Sequence, residues 1–245
     1  VRTVRLEIAF VGTAYEGWQS QRKGKTVQET VERLLERILK EKVPVTASSR
    51  TDSGVHARGL VAHFKTKSAL PDIRLREALN FYLPKDIAVL SAGTVGSDFH
   101  ARYGAKSKIY RYQIWNDPVR PVFEAPFAFW SPTPLDVAEM RKAARHLKGR
   151  HDFSAFCDMT ADPRKTHVRT VKRLVLSKKG PLITLEIEGD GFLTHMVRII
   201  AGTLIQVGRK QIPAARVPKI LRSKDRKLAG PTAKAHGLTL VKVKY

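Results

Sequence analysis

An α+β protein made of two ferredoxin-like halves, each running strand, helix, strand, strand, helix, strand (β-α-β-β-α-β), is what this sequence predicts. Three observations carry that expectation: period-two alternation opening the chain, amphipathic helical stretches set between strand pairs, and the same element order occurring twice. No residue-level repeat accompanies the repeated order.

In the first half, Val4, Leu6, Ile8 and Phe10 alternate with Arg5 and Glu7, which reads as a half-buried strand. Thr26 with Glu29 three residues on makes a capping box. Val27, Val31, Leu34, Leu35, Ile38 and Leu39 then mark one face of a helix, with Pro44 as its stop. Residues 43–48 and 60–66 read as strands. Asp72 can cap a second helix carrying Ile73, Leu75, Ala78, Leu79 and Tyr82, and residues 87–95 return as a strand.

The second half repeats the order. Residues 105–116 form a strand, and Thr133 and Pro134 start a helix that runs through Leu147 and closes at Gly149. Residues 168–177 and 182–188 make a hairpin across Lys178-Lys179-Gly180-Pro181. Over 192–207 Phe192, Met196, Ile199, Thr203 and Val207 line up as a helix, Gly208 stops it, and 238–245 is the closing strand. "DFHARYGAK" (98–106) has neither period, so the expected domains are 1–104 and 105–245.

Forty-five Lys and Arg against 22 acids give a formal charge of +23, spread through the elements and not gathered in a polybasic tail. A globular basic surface of this kind attracts a polyanion by counterion release, and nucleic acid is the first partner to consider. Cys157 is the only cysteine, so no internal disulfide, zinc ribbon or C-x-x-C pair can be written, and a reducing, cytoplasmic compartment is expected. No apolar run approaches the length of a signal segment or a membrane span, so no membrane association is expected.

Phosphate-binding G-x-x-x-x-G-K-[ST] and dinucleotide-binding G-x-G-x-x-G motifs do not occur. The eight histidines lack ligand spacing, and the acids nearest Asp52 along the chain are Glu41 and Asp72, which disfavours two-metal cleavage; no metal is expected. That leaves "SSRTDSGVHARG" (48–59), where Asp52 sits at a Ser53-Gly54 turn between Arg50 and Arg58. Such an aspartate can simply cap its own turn. Alternatively, an ionised carboxylate on a cationic face can act as a nucleophile, with Arg58 as a phosphate contact.

In "AKSKIYRYQIWN" (105–116) Tyr110 and Tyr112 share a face opposite Arg111, either as core residues or as a platform on which a base can stack. In "GDGFLTHMVRIIAGTL" (189–204) Arg198 lies one residue before Ile199 of the apolar stripe, and an arginine partly buried there needs an anionic partner.

Six ordered stretches, "GTAYEGWQSQ" (12–21), "SRTDSGVHARGLVAHF" (49–64), "DFHARYGAKSKIYRY" (98–112), "HDFSAFC" (151–157), "GFLTHMVRIIAGTL" (191–204) and "PTAKAHGLTL" (231–240), resemble the tRNA pseudouridine synthase A family over nearly the whole chain. The resemblance implies a pseudouridine synthase fold, in which the antiparallel sheets of the two halves merge. It implies isomerisation of uridine at positions 38, 39 and 40 in the anticodon arm of tRNA by a homodimer that uses no cofactor. Carried over residue by residue, it makes Asp52 the catalytic carboxylate, Tyr110 the stacking residue, Arg198 the cation paired with Asp52, and Arg50 the side chain that displaces the target base.

The chain departs from the family pattern at Val11, often Asp, and at Lys234, often Pro. The competing expectation is a non-catalytic RNA-binding protein with two RRM-like domains, which calls for an RNP1-type stretch; none occurs.

Overall fold

Alternation at the N-terminus becomes β1 (Arg2–Phe10), which buries Val4, Leu6, Ile8 and Phe10 while Arg5 and Glu7 stay half-exposed and pair with each other. The computed structural model describes residues 1–158 and 166–245, and they divide into two compact units, Val1–Lys106 with Thr239–Tyr245, and Ser107–Leu238.

In the first unit β1 pairs antiparallel with β3 (His56–Thr66) on one side and β4 (Ile87–Val95) on the other, with Leu6 opposite Ala62 and Ala92. The short β2 (Thr46–Ala47) lies antiparallel on the edge of β3 away from β1, Thr46 facing His63. The resulting order, fourth-first-third-second, is that of a ferredoxin-like sheet.

Helix α1 (Val27–Leu39) packs beside the second helix of the unit with Val27, Val31, Leu34 and Leu35 buried, and the Thr26 hydroxyl accepts from the Glu29 N–H at 3.4 Å, a cap worth about 1 kcal/mol. It stops at Lys40, whose left-handed backbone (φ 59°) ends the helix before Pro44 is reached. Helix α2 (Asp72–Tyr82) starts with Asp72 inside its first turn and Pro71 at the cap. The Asp72 carboxylate binds Arg2 and the Thr94 N–H instead, tying the start of the helix to β1 and β4.

Strand β5 (Ser107–Asn116) opens the second unit, antiparallel to β9 (Leu182–Gly189), which forms the expected hairpin with β8 (Val168–Lys179). Two short strands add to it: β6 (Phe129–Ser131) parallel to β5, and β7 (Gly149–Asp152) antiparallel to β8. Gly149 thus begins a strand rather than closing a helix.

Helix α3 (Val137–Arg145) begins after Thr133 and Pro134, because the Asp136 carboxylate accepts from the Glu139 N–H at 3.1 Å and wins the cap. Helix α4 (Met196–Gly208) starts four residues later than its apolar stripe suggested: His195, at φ 59°, is left-handed and cannot belong to the helix. Nearly every residue of α4 is buried, the pattern of a helix enclosed on all sides.

Helix α5 (Val217–Ser223), with Pro218 in its first turn, was not anticipated from the sequence. The last strand, β10 (Leu238–Lys244), expected to close the second half, runs parallel to β3 with Thr239 opposite His56. Among the described residues no helix is long and apolar enough to cross a membrane.

Candidate active site

The Asp52 loop is held almost entirely by backbone. The Asp52 carbonyl accepts from the Val55 N–H at 3.1 Å, closing a four-residue turn whose third position, Gly54, has the positive φ (76°) that a type II turn requires. Segment 12–18 then braces the turn from outside: the Tyr15 carbonyl accepts from the Gly54 N–H (3.2 Å) and the Ser53 hydroxyl (3.4 Å), and the Trp18 N–H donates to the Thr51 carbonyl (3.2 Å).

That close approach needs glycine at position 17, where φ is 87° and a Cβ would overlap the Thr51 carbonyl oxygen. Buried Trp18 packs on Phe10, and the Tyr15 hydroxyl donates to Asp86 at 2.7 Å; burial, and then Asp86, push the Tyr15 phenol well above its usual range. Behind the turn, the Gly12 N–H donates to Nδ1 of buried His56 at 3.0 Å, so the "GT" and "GVH" motifs fasten to one another.

Asp52 itself is half-buried, and Arg50 and Arg58 are exposed. Among the described residues neither arginine forms an ion pair. The simple picture of a carboxylate clamped by its two sequence neighbours does not describe the loop.

In the second unit Arg198 occupies the first turn of α4, half-buried, and its Nε donates to the Ala233 carbonyl at 2.8 Å while the Ala233 N–H returns to the Arg198 carbonyl at 3.1 Å. Segment 230–234 is therefore a strap across α4. It can lie so close only because residue 202 has no side chain: a Cβ there would overlap the Pro231 carbonyl oxygen. The Gly230 N–H donates to the Thr203 hydroxyl at 2.9 Å, and the Lys234 carbonyl accepts from the Tyr112 hydroxyl at 2.9 Å. Position 234 acts through its backbone, which explains why lysine is accommodated there.

Tyr110 and Tyr112 do share a face of β5. Tyr112 is wholly buried, and burial pushes its phenol well up despite the opposing charge of Arg198. Tyr110 is 7% exposed and meets Phe192 edge-to-face at 5.2 Å between ring centres. Phe192 lies in the same short segment as His195, whose Nδ1 is 3.0 Å from Asp158 Oδ2.

The first unit thus gathers Asp52, Arg50 and Arg58, and the second gathers Arg198, Tyr112 and the strap. Sequence reasoning missed the bracing segment 12–18 and the strap. Both were visible only as motif text, "GTAYEGW" and "GPTAK", with glycines at the points of closest approach. Among the described residues no cluster of three or more His, Cys, Asp or Glu could hold a metal ion.

A family model described as tRNA pseudouridine synthase matches residues 8–104 and 143–245. The chain is 46% identical over 245 residues to the tRNA pseudouridine synthase A of Acetivibrio thermocellus, covering 100% of both chains. It is 44% identical over 244 residues to that of Moorella thermoacetica, covering 99% of each. Against the same-named protein of Shouchella clausii the identity is 47% over 241 residues, 98% of this chain and 92% of the relative.

Proposed function

The chain belongs to the tRNA pseudouridine synthase family, and from that premise we propose how its residues perform the isomerisation. The enzyme converts uridine in tRNA to pseudouridine. In this reaction the C1′–N1 bond breaks, the uracil turns over and C5 joins C1′. C5 loses a proton and N1 gains one, so atoms and electrons balance within the substrate and no redox partner or nucleotide cofactor is called for.

Asp52 is the proposed catalytic carboxylate, acting by attack at C1′, by addition at C6 or by assisting a glycal intermediate. The observation that carries this assignment is the turn: an acid at a loop braced by backbone on two sides is presented at a fixed place in a strongly basic chain. Arg198 serves as the cation that keeps Asp52 ionised and oriented, its own Nε held by the Ala233 carbonyl.

Reaching C1′ requires the base to leave its stack, at a cost of about a few kcal/mol. Insertion of Arg50, contact of the uracil with the Tyr110 ring and phosphate contact by Arg58 offset that cost; a stacked base contributes about 1–3 kcal/mol. The proposed substrate positions are 38, 39 and 40 of the anticodon arm, and the proposed working form is a cytoplasmic homodimer.

Incubating undermodified tRNA with the protein and no cofactor, then labelling pseudouridine chemically for mass spectrometry, should show product at those positions. Asp52→Asn should bind tRNA nearly as well as the parent yet release no tritium from C5-labelled uridine. Appreciable turnover by that variant would falsify the assignment of Asp52, and absence of product from the parent would return the non-catalytic RNA-binding reading to first place.

A further inference from the structure

The segment that braces the Asp52 loop continues past Trp18 into the wall of a separate groove. Between α1, the 21–25 loop and the end of α2 lies a concavity of about 740 Å³, lined on its charged side by Arg22, Lys25, Arg33 and Arg37, with Glu29 and Tyr82 among its other residues. Four cations to one carboxylate is about twice the basic excess of the chain as a whole, which has 45 Lys and Arg to 22 acids.

The single carboxylate is already engaged, since Glu29 pairs with Arg33 at 2.6 Å. Among the described residues Arg22, Lys25 and Arg37 have no carboxylate partner. Lys25 and Arg37 are instead held over aromatic rings, Lys25 at 4.7 Å from the Tyr15 ring centre and Arg37 at 4.9 Å from that of Tyr82. A cation fixed against a ring face keeps its charge and its outward N–H groups while losing little further freedom on binding.

Volume alone would suit a small organic ligand, but the sites that hold such ligands carry few charges, whereas four of the residues lining this groove, Arg22, Lys25, Arg33 and Arg37, are cations. Repeated phosphates spaced along a backbone match several cations spread over one groove better than a single anion does.

The groove is also wired to the reacting end of the unit. The Glu16 N–H donates to the Lys25 carbonyl at 2.8 Å, the Gln21 side chain donates to the Glu16 carbonyl at 3.1 Å, and the neighbouring Tyr15 carbonyl holds the Asp52 turn. We propose that this groove binds the phosphate backbone of the substrate tRNA away from the target nucleotide, so that one bracing segment registers both the RNA and the Asp52 carboxylate. The proposal rests on the reading of the chain as a tRNA-modifying enzyme and adds to it a second place where the RNA is held.

The test is a triple variant, Arg22→Gln/Arg33→Gln/Arg37→Gln, compared with the parent and with the charge-keeping triple Arg→Lys, in titrations of unmodified tRNA over a salt series. The glutamine triple should bind tRNA at least about tenfold more weakly, and the steepness of log K against log salt should fall by about 0.7–0.9 for each phosphate no longer neutralised. The lysine triple should recover most of the affinity and slope. In turnover the loss should fall on KM and not on kcat, as for removal of uniform binding energy.

Unchanged affinity and salt slope would overturn the proposal, as would weakened binding to anionic lipid vesicles with tRNA affinity intact. A parent enzyme that forms no pseudouridine while the triple still loses tRNA affinity would sink the catalytic reading and leave the groove standing. An active parent with an indifferent triple would do the reverse.

Discussion

The two segments that carry the catalytic acid and its proposed arginine are immobilised by opposite means. In the first unit the Asp52 turn is local, four residues closed on themselves, and its outer brace comes from a loop that carries its own glycine. In the second unit Arg198 sits on a buried helix and its guanidinium is fixed by a strap 35 residues further along the chain. The half-buried Asp52 is placed by main-chain bonds of its turn and of the bracing segment. A half-buried guanidinium must have its donors matched one by one, because unmatched donors inside a protein cost about 1–3 kcal/mol or more each. The difference predicts that disturbing the brace spoils chemistry first, and disturbing the strap spoils the fold first.

Gly202→Ala should give the largest effect. Both the helix backbone and the Pro231 carbonyl are confined, so the added methyl has nowhere to go, and we expect destabilisation of about 3 kcal/mol, at the upper end for overpacking. Denaturant titration reads it directly. Stability within experimental error of the parent would show that the strap can lift off α4, and the two units would then not differ in this way.

Gly17→Ala should cost less stability and more activity. The bracing loop can shift outward more readily than a strap pressed on a buried helix, so about 1–2 kcal/mol is expected from the positive φ and the clash with Thr51. Any such shift carries Tyr15 and Trp18 with it and releases the Asp52 turn, and a displacement of about 1 Å at a reacting group can reduce turnover by about a hundredfold. Measuring kcat and thermal stability on the same preparation sharpens the comparison: a variant with reduced stability but parental kcat would mean that the brace supports the fold and not the carboxylate.

The same contrast explains what could be read from the sequence. The first unit was legible because its signals are short-range: period-two alternation in β1, the Thr26–Glu29 cap, and a Ser-Gly turn presenting Asp52. The second was legible in its hairpin but not in its helix starts. There Asp136 outcompeted Thr133 for a cap, and the left-handed His195 cut four residues from an otherwise continuous apolar stripe. Arg198 stands out in the sequence for a sound physical reason, burial beside an apolar face, yet its tie to Ala233 depends on a tertiary crossing over Gly202 that no periodicity encodes. Of the two readings its alternation allowed, Tyr110 shows the core one, 7% exposed with its ring edge-to-face on Phe192, and its contact with a base belongs to the proposed function.

The smallest expected effect separates the units by acid sensitivity. His63 on β3 is buried, and its Nδ1 accepts from the Ala101 N–H at 3.2 Å with the His100 ring 4.9 Å away. Burial first, then the charge of His100, hold its pKa below the usual histidine value, against a smaller opposing effect of the Thr46 backbone. In the second unit burial lowers His236 in the same way, with Lys234 adding to it and the Ala128 backbone opposing. A folded-state pKa below the unfolded one means the unfolded chain takes up the proton first. The stability contribution is therefore complete above about pH 6.5 and is lost as pH falls through the lowered folded values. An asparagine in place of His63 has its side-chain oxygen at the Nδ1 position, so it can still accept from Ala101 but does not titrate, and His63→Asn should flatten the part of the stability–pH curve that belongs to the first unit. If the slope between neutral and mildly acidic pH is the same in this variant as in the parent, the acid sensitivity resides with His236, in the unit whose arginine strap ends two residues before it.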